Sequence, residues 1–349
     1  MYKLLVLCLL VVMVSVVLGR GTCGPDFCKS YLCPRLNSCK GEYMPDGSGR
    51  CGCCPHCINI LTQHVSARHA NQSRQRRVVG GTEVTEKGKW PWLVSLLWKY
   101  PKDPEANPPT WRYGTCGASI INNQWLMSAA HCFHTPERIG PQYWTARMAA
   151  LKFKSSPLDK FKDLVGKATL TPRWMLFERE VEKIIVHPNF QPGVKARWQN
   201  DIALMKMKYR IPIGLGFNQL KNVTLPIPGD ASFPAARQEC VFAGWGCSEG
   251  GGQPTKAQHD VVLPIARNSA CARLFKVDIE TRLCAGSLGG GISTCQGDSG
   301  GPLVCEKNGK YIQVGISSFN NPRDPGSEYA AFTRVSYFMD WVTRTIADN

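Results

Sequence analysis

The hydrophobic pattern from Val78 to Asn349 is that of short strands separated by glycine and proline turns. Between Tyr311 and Ile316, apolar side chains alternate with polar or small ones, which is the pattern of a strand with one buried face. The spacing changes after Ser336, a residue that can cap a helix, because apolar residues then recur every three or four positions. We therefore predict a mainly β domain that ends in one helix.

The apolar run at the N-terminus, Leu4–Leu18, has a different character. It follows Lys3, precedes small residues near Gly19, and is short for a membrane span. We interpret residues 1–19 as a cleaved signal peptide, and the alternative is a membrane anchor. A signal peptide implies that the protein is secreted, extracellular and without a membrane anchor.

Cysteine is concentrated in a short segment near the N-terminus. The chain has 17 cysteines, and an even number remains once Cys8 leaves with the signal peptide, as disulfides require. Eight lie between Cys23 and Cys57, and the next is Cys116. A segment this short buries little apolar surface, so disulfides must offset the entropy of ordering it. We predict a cysteine-rich module over residues 20–58 that is held by disulfides; the alternative, zinc, is not expected.

The composition excludes several classes of protein. Hydrophobic residues make up 43% of the chain and charged residues 19%, which does not fit a disordered or collagen-like chain. There are 42 Lys and Arg against 26 Asp and Glu, a net charge of +16. Without a recognition motif, this charge does not indicate nucleic-acid binding; in a secreted protein it favours anionic glycans or cell surfaces. Two sequons predict N-glycosylation at Asn71 and Asn222.

Four short motifs in the C-terminal part carry a recognisable chemistry. In chain order they are Val78-Val79-Gly80-Gly81, Ser128-Ala129-Ala130-His131-Cys132, Asn200-Asp201-Ile202-Ala203-Leu204 and Cys295-Gln296-Gly297-Asp298-Ser299-Gly300-Gly301-Pro302. Together they resemble the chymotrypsin-like, or trypsin-like, serine proteases, whose catalytic residues follow in the order His, Asp, Ser. The resemblance implies an all-β fold of two antiparallel β-barrels with a C-terminal helix over residues 78–349, preceded by the small disulfide-rich module.

In this resemblance, His131, Asp201 and Ser299 are the catalytic residues. A serine hydroxyl is a poor nucleophile at neutral pH, so His131 would accept its proton while Asp201 holds the imidazole in the required tautomer. The backbone N–H groups of Gly297 and Ser299 would form the oxyanion hole. The implied activity is hydrolysis of internal peptide bonds in protein substrates, without a cofactor or a metal.

Residues 59–77 form a polar linker whose basic end, Arg74-Gln75-Arg76-Arg77, is either solvated surface or a processing site. The resemblance favours processing, because cleavage after Arg77 by an activating protease makes Val78 a new amino terminus. That amino group would insert and pair with Asp298. Because a buried ion pair is favourable only when both partners are present, the chain is expected to be a zymogen.

The resemblance also implies three disulfides in the protease domain, namely Cys116–Cys132, Cys240–Cys305 and Cys271–Cys284. It leaves Cys247 and Cys295 over, and the downstream cysteine with which Cys295 would usually pair is missing, because no cysteine follows Cys305 in this chain. We predict a disulfide between these two residues. The alternative is a disulfide from one of them to the N-terminal module.

The substrate pocket departs from the common patterns of the family. By resemblance, Ser293 lies at the base of the pocket, while Ser318, Phe319 and Asn320 form one wall. A neutral base cannot pair with a basic side chain, so we predict that the enzyme prefers an apolar P1 residue. Asp324 leaves an alternative open: it is either a solvated loop residue or an acid that approaches the pocket and restores a preference for Lys or Arg.

Two other classes of function stand beside the protease. One is a non-catalytic, protease-like adaptor, a class that typically lacks a residue of the triad. The other places a binding function in the N-terminal module, where residues 50–57 resemble part of an insulin-like growth factor binding module; a structural or docking role is the simpler interpretation. Protease inhibitors and anionic glycans are further candidate partners, and lysines between His131 and Asp201 are candidates for steering acidic ones.

Overall fold

The computed structural model describes residues 42–44, 56–58 and 80–349, except for 104, 107–109, 149–150, 152–177, 194, 215–219, 248–252, 256, 290 and 322–323. The chain divides into two compact units, residues 1–75 and 76–349. In the first unit, β1 (Glu42–Met44) and β2 (His56–Ile58) form an antiparallel pair. The predicted signal peptide, most of the N-terminal cysteines, Asn71, Arg77 and Val78 lie outside the described residues.

Six antiparallel strands of the second unit close into a barrel. They follow the short strand β3 (Thr82–Glu83) and are joined in the order β4, β5, β6, β9, β8, β7. Apolar side chains of β4 fill the interior, where Val94 and Leu96 are fully buried. A short helix, α1 (Pro136–Ile139), precedes β7. The strands are β4 (Leu93–Asp103), β5 (Thr110–Ile120), β6 (Trp125–Ser128), β7 (Trp144–Met148), β8 (Glu178–Val186) and β9 (Ala203–Met207).

The remaining strands form a seven-stranded antiparallel sheet in the order β12, β15, β14, β13, β10, β11, β3. A bridge between Ile265 and Ala285 brings the end of β11 to β12, so the sheet curls toward closure. The prediction of two antiparallel β-barrels is therefore confirmed. The strands are β10 (Glu239–Gly244), β11 (His259–Pro264), β12 (Arg282–Ala285), β13 (Pro302–Lys307), β14 (Lys310–Phe319) and β15 (Ala330–Arg334), and α2 (Asn268–Phe275) lies between β11 and β12.

Strand β14 is buried on both faces over much of its length, so the prediction of one buried face is wrong there. Gln313, a polar residue of the alternating pattern, is fully buried. The hydroxyl of Ser119 in the first barrel donates a 2.6 Å hydrogen bond to its side-chain oxygen. The second face of β14 thus packs against the other barrel, and a hydrogen bond compensates for burial of the amide.

The C-terminal helix is present as α3 (Val335–Ala347), but Ser336 does not cap it. The helix begins at Val335, two residues earlier than a cap at Ser336 would place it, and Arg334 is in the N-cap position. Ser336 is instead buried, and its carbonyl accepts a 2.8 Å hydrogen bond from the N–H of Gly229. The apolar face that the spacing predicts lies on the core, where Phe338 and Val342 are buried.

Four disulfides join strands and loops in the described part of the second unit: Cys116–Cys132, Cys240–Cys305, Cys247–Cys295 and Cys271–Cys284. They are the same pairs that the sequence leads us to expect. Cys247–Cys295 connects the loop after β10 to the segment that precedes Ser299. Within the described ranges, no helix has the length and apolar character needed to cross a membrane.

The two barrels meet closely at Gly117 of β5. Its N–H donates a 2.7 Å hydrogen bond to the carbonyl of Ser299, and a Cβ added to it would lie 2.7 Å from the Cα of Gly301. Because the neighbouring atoms belong to the backbone, they cannot rotate away as a flexible side chain would.

We therefore expect Gly117→Ala to lower the free energy of unfolding by about 2 kcal/mol, because the added methyl group forces the two backbones apart. Urea denaturation of the full chain measures the loss. Gly309→Ala is the matched control: Gly309 has a φ of +72° but open space around it, so only about 1 kcal/mol of backbone strain is expected there. Equal losses in the two variants would show that packing at Gly117 is not a constraint.

Candidate active site

His131 and Asp201 are joined by two hydrogen bonds. His131 lies in the 3₁₀ turn Ala130–Cys132, and the disulfide of Cys132 ties this turn to β5. The Nδ1 atom of His131 lies 2.7 Å from Oδ2 of Asp201, and the backbone N–H of His131 donates to Oδ1 at 2.8 Å. With Asp201 on Nδ1, the other ring nitrogen of His131 is left to act as a base.

Asp201 is completely buried yet surrounded by donors. The hydroxyl of Ser318 donates to its Oδ2 at 2.6 Å, and the hydroxyl of Thr333 donates to its main-chain carbonyl at 2.9 Å. Burial acts to raise the pKa of Asp201, but the charge and hydrogen bond of His131, the charge of Arg282 and the Ser318 hydroxyl together lower it. Asp201 is therefore an ionised carboxylate in the protein interior.

Ser299 lies in a glycine-rich turn whose backbone adopts left-handed conformations. Gly297 has a φ of +100°, and a Cβ on it would lie 3.4 Å from the Cα of Gly246. Gly297, Ser299 and His131 line one cleft, together with Gln296. The structure thus brings together the predicted nucleophile, the predicted base and the predicted oxyanion-hole residues.

A second cavity, of about 290 Å³, opens beside Ser299 and corresponds to the predicted substrate pocket. Its lining contains no carboxylate and consists of Cys247, Thr294, Cys295, Gln296, Ser299, Ser317, Ser318, Phe319, Asn320 and Pro325. The side chain of Asn320 donates a short hydrogen bond to the carbonyl of Thr294, another residue of this lining.

Ser293 and Asp324, the two residues from which the P1 prediction was argued, both lie outside this lining. Ser293 precedes the lining residue Thr294 and is completely buried, and its hydroxyl has no hydrogen-bond partner among the described residues. Asp324 is exposed, and its carbonyl accepts hydrogen bonds from Ser327. No acidic side chain of the described residues therefore lines the pocket.

Three residues near the triad belong to none of the sequence motifs. The ring of Trp198 lies 5.4 Å from the imidazole of His131 and stacks on Phe190. Thr333 binds the main chain of Asp201, and Arg282 binds the hydroxyls of both Thr333 and Ser318. Trp198 could be suspected from its closeness to Asp201 in sequence, but Arg282 and Thr333 are remote along the chain and carry no local signal.

Comparison with protein families agrees with this geometry. The model of the trypsin family matches residues 78–342. The chain belongs to this family. A second model, that of a fungal protease inhibitor, matches residues 12–79, so the N-terminal part is similar to an inhibitor rather than shown to be an insulin-like growth factor binding module.

The trypsin-family domain contains a second buried carboxylate, Asp298, next to Ser299. Its two oxygens accept hydrogen bonds from the backbone N–H groups of Gly246 at 2.7 Å and Cys295 at 2.9 Å. A Cβ on Gly246 would lie 2.1 Å from Oδ2 of Asp298, so glycine is required there. Among the described residues, no cationic side chain forms an ion pair with Asp298.

Burial raises the pKa of Asp298 to about 7, although the N–H groups of Cys295 and Gly246 act to lower it. The ordinary value is 3.8, so between these two pH values the folded chain holds a proton that the unfolded chain releases. The stabilisation from protonated Asp298 is therefore complete below pH 3.8 and is lost as the pH rises to about 7.

We expect the difference in unfolding free energy between the uncleaved chain and its Asp298→Asn variant to change by as much as about 4 kcal/mol across this window. Only the wild type loses this stabilisation as the pH rises, because asparagine does not ionise. Urea denaturation of both proteins at pH 4, 5.5 and 7.5 measures the difference. A difference that stays constant with pH would show that Asp298 ionises in the folded chain at no unusual free-energy cost.

Proposed function

We propose that the protein is a secreted serine endopeptidase, made as a zymogen, that hydrolyses internal peptide bonds through an acyl-enzyme on Ser299. The observation that carries this proposal is the hydrogen-bonded pair of His131 and Asp201 beside a cleft that Ser299 and Gly297 also line. Membership in the trypsin family supports a serine protease in general. All three residues of the triad are present, which argues against the non-catalytic adaptor.

The reaction follows from the positions of these groups. Oγ of Ser299 attacks the peptide carbonyl carbon while His131 takes its proton, and the N–H groups of Gly297 and Ser299 receive the oxyanion. His131 then gives the proton to the leaving amine as the C–N bond breaks. Water repeats the sequence on the acyl-enzyme and releases Ser299. Asp201, buried and ionised, stabilises the imidazolium that forms in each half of the reaction.

Activation is proposed to occur by cleavage after Arg77. The new amino group of Val78 would pair with Asp298 and replace the proton that burial favours there. A buried carboxylate with two backbone donors and no cationic partner among the described residues supports this role. The partner that this step needs is an activating protease.

An apolar P1 residue is the proposed specificity. It is supported by a pocket lining without a carboxylate, and by the exposed position of Asp324 outside that lining. A buried lysine or arginine side chain would meet no counter-charge in such a pocket. The alternative is specificity for a basic P1 residue, which would require Asp324 to move into the pocket.

A second candidate function concerns the N-terminal module. Because the model of a fungal protease inhibitor matches residues 12–79, we propose that this module binds proteases, either the attached domain or separate ones. Adding the purified full chain to a fungal protease, before and after cleavage at Arg77, tests this role. Undiminished activity of the fungal protease in both cases would remove inhibition of separate proteases from consideration.

We expect chain cleaved between Arg77 and Val78 to hydrolyse peptides with Phe, Leu or Ala at P1 about 100-fold faster, in kcat/KM, than peptides with Lys or Arg. The measurement is hydrolysis of a matched peptide panel. Preference for Lys or Arg would contradict the neutral pocket, and Asp324→Asn would then show whether Asp324 is responsible.

Ser299→Ala is expected to fold and to be processed but to lose activity by about a million-fold, because no nucleophile remains.

Arg77→Gln should leave the chain uncleaved and inactive while Ser299 is intact. Both variants are assayed on the best peptide of the panel, with the N-terminal sequence determined after treatment with the activating protease. Substantial hydrolysis by Ser299→Ala would exclude the acyl-enzyme, and silence of correctly cleaved wild type on every peptide would favour the adaptor.

A further inference from the structure

A buried guanidinium lies behind the catalytic carboxylate. Arg282 is the first residue of β12 and is only 2% exposed. One terminal nitrogen donates to the hydroxyl of Ser318 at 3.0 Å and to that of Thr333 at 2.8 Å. The other donates to the main-chain carbonyls of Arg197, at 3.0 Å, and Trp198. All four acceptors lie next to Asp201 in space or in sequence.

The two hydroxyls connect Arg282 to Asp201 in a defined direction. A hydroxyl has a single proton to donate, whereas a guanidinium can only donate. Because Arg282 occupies lone pairs of Ser318 and Thr333, their protons are directed at Asp201, where both hydroxyls donate to its oxygens. Without the guanidinium, each hydroxyl could rotate and leave Asp201 with fewer donors.

The two carbonyls connect Arg282 to a turn with an unusual backbone. Arg197, Trp198 and Asn200, just before Asp201, have φ values of 50°, 52° and 53°. Side-chain-bearing residues rarely adopt this left-handed region, and each does so at a cost of about 1 kcal/mol or more. Arg282 binds two carbonyls of this turn and so holds it in place, together with the Trp198 ring that faces His131.

The charge of Arg282 also acts on the catalytic pair. Burial lowers the pKa of Arg282, while the charge of Asp201 acts in the opposite direction and favours the guanidinium. No carboxylate of the described residues forms a direct ion pair with it. A positive charge beside the His131–Asp201 pair favours the pair's net negative state, in which the imidazole is neutral and able to accept a proton.

We propose that Arg282 is a positioning residue of the active site, which directs two hydroxyls at Asp201, holds the turn before it, and keeps the His131–Asp201 pair competent at lower pH. The inference rests on the proposed peptidase activity. It assigns to Arg282 two separable contributions, one from the geometry of its planar fork and one from its charge.

Two variants separate these contributions. Arg282→Met removes charge and fork; we expect kcat to fall by about ten- to a hundred-fold with a smaller change in KM. We also expect the rising limb of the pH profile of kcat/KM to move up by about half a pH unit. Arg282→Lys keeps the positive charge but lacks the planar guanidinium, so kcat should fall while the rising limb of the pH profile stays at its wild-type pH. The full chain, cleaved after Arg77, is used throughout.

Arg179→Met is the matched control. Arg179 is also buried, at 4% exposure, and its guanidinium donates to the carbonyl of Arg210 in the first barrel, without a contact to Asp201 among those described. This variant should lose thermal stability as Arg282→Met does, but keep the wild-type pH profile. If the rising limb of the pH profile moved by the same amount in both variants, the shift would reflect lost stability. The proposed role of Arg282 would then be wrong.

A measurement without turnover keeps the two proposals distinguishable. The low-field proton resonance of the Nδ1–H of His131 reports its hydrogen bond to Asp201, and we expect this resonance to shift in Arg282→Met. If the cleaved wild type hydrolyses no peptide, the proposed function fails, while this resonance still decides the inference. An unchanged resonance in Arg282→Met would overturn it, and Arg282→Gln, which also removes the charge, provides the same readout if the methionine variant does not fold.

Discussion

The ionised carboxylate of Asp201, held in a dry interior, is the constraint on which the active site depends. An isolated charge there would be strongly unfavourable, so the chain must supply partners from several directions. His131 binds the carboxylate from one side and Ser318 of β14 donates to its Oδ2, while Thr333 of β15 donates to the main-chain carbonyl of the same residue. The first barrel contributes His131 and the second contributes Ser318, so the charge is stabilised where the two barrels meet.

Two buried aspartates in this domain have opposite properties for a clear physical reason. Asp201 has an imidazole, a hydroxyl and a nearby guanidinium, and its pKa is lowered. Asp298 has two backbone N–H groups and no cationic partner among the described residues, and its pKa is raised to about 7. Hydrogen bonds alone do not compensate for complete burial, whereas nearby positive charge does. One buried carboxylate is therefore kept charged, and the other holds a proton that a cationic partner could replace.

Much of the fold and the centre of the site could be predicted from sequence, because short motifs place His131, Asp201 and Ser299 in contiguous segments whose order is diagnostic. The four described disulfides could also be predicted. What failed depends on contacts between distant segments. The alternating pattern places Gln313 on the exposed side of a strand, but it is buried against Ser119 of the other barrel. Ser336 has the sequence context of a helix cap, and nothing local in the sequence indicates its burial or its hydrogen bond to Gly229. Arg282 is missed for the same reason, since its partners lie 36 to 85 residues away.

The disulfide between Cys247 and Cys295 has a consequence for Asp298. The N–H groups that receive its carboxylate belong to Gly246, adjacent to one cysteine, and to Cys295 itself. The cradle of this carboxylate is thus closed by the disulfide and by a 2.9 Å hydrogen bond from the N–H of Cys247 to the carbonyl of Gln296. The covalent link between the two donors therefore exists only in an oxidising environment, in which such a bond persists.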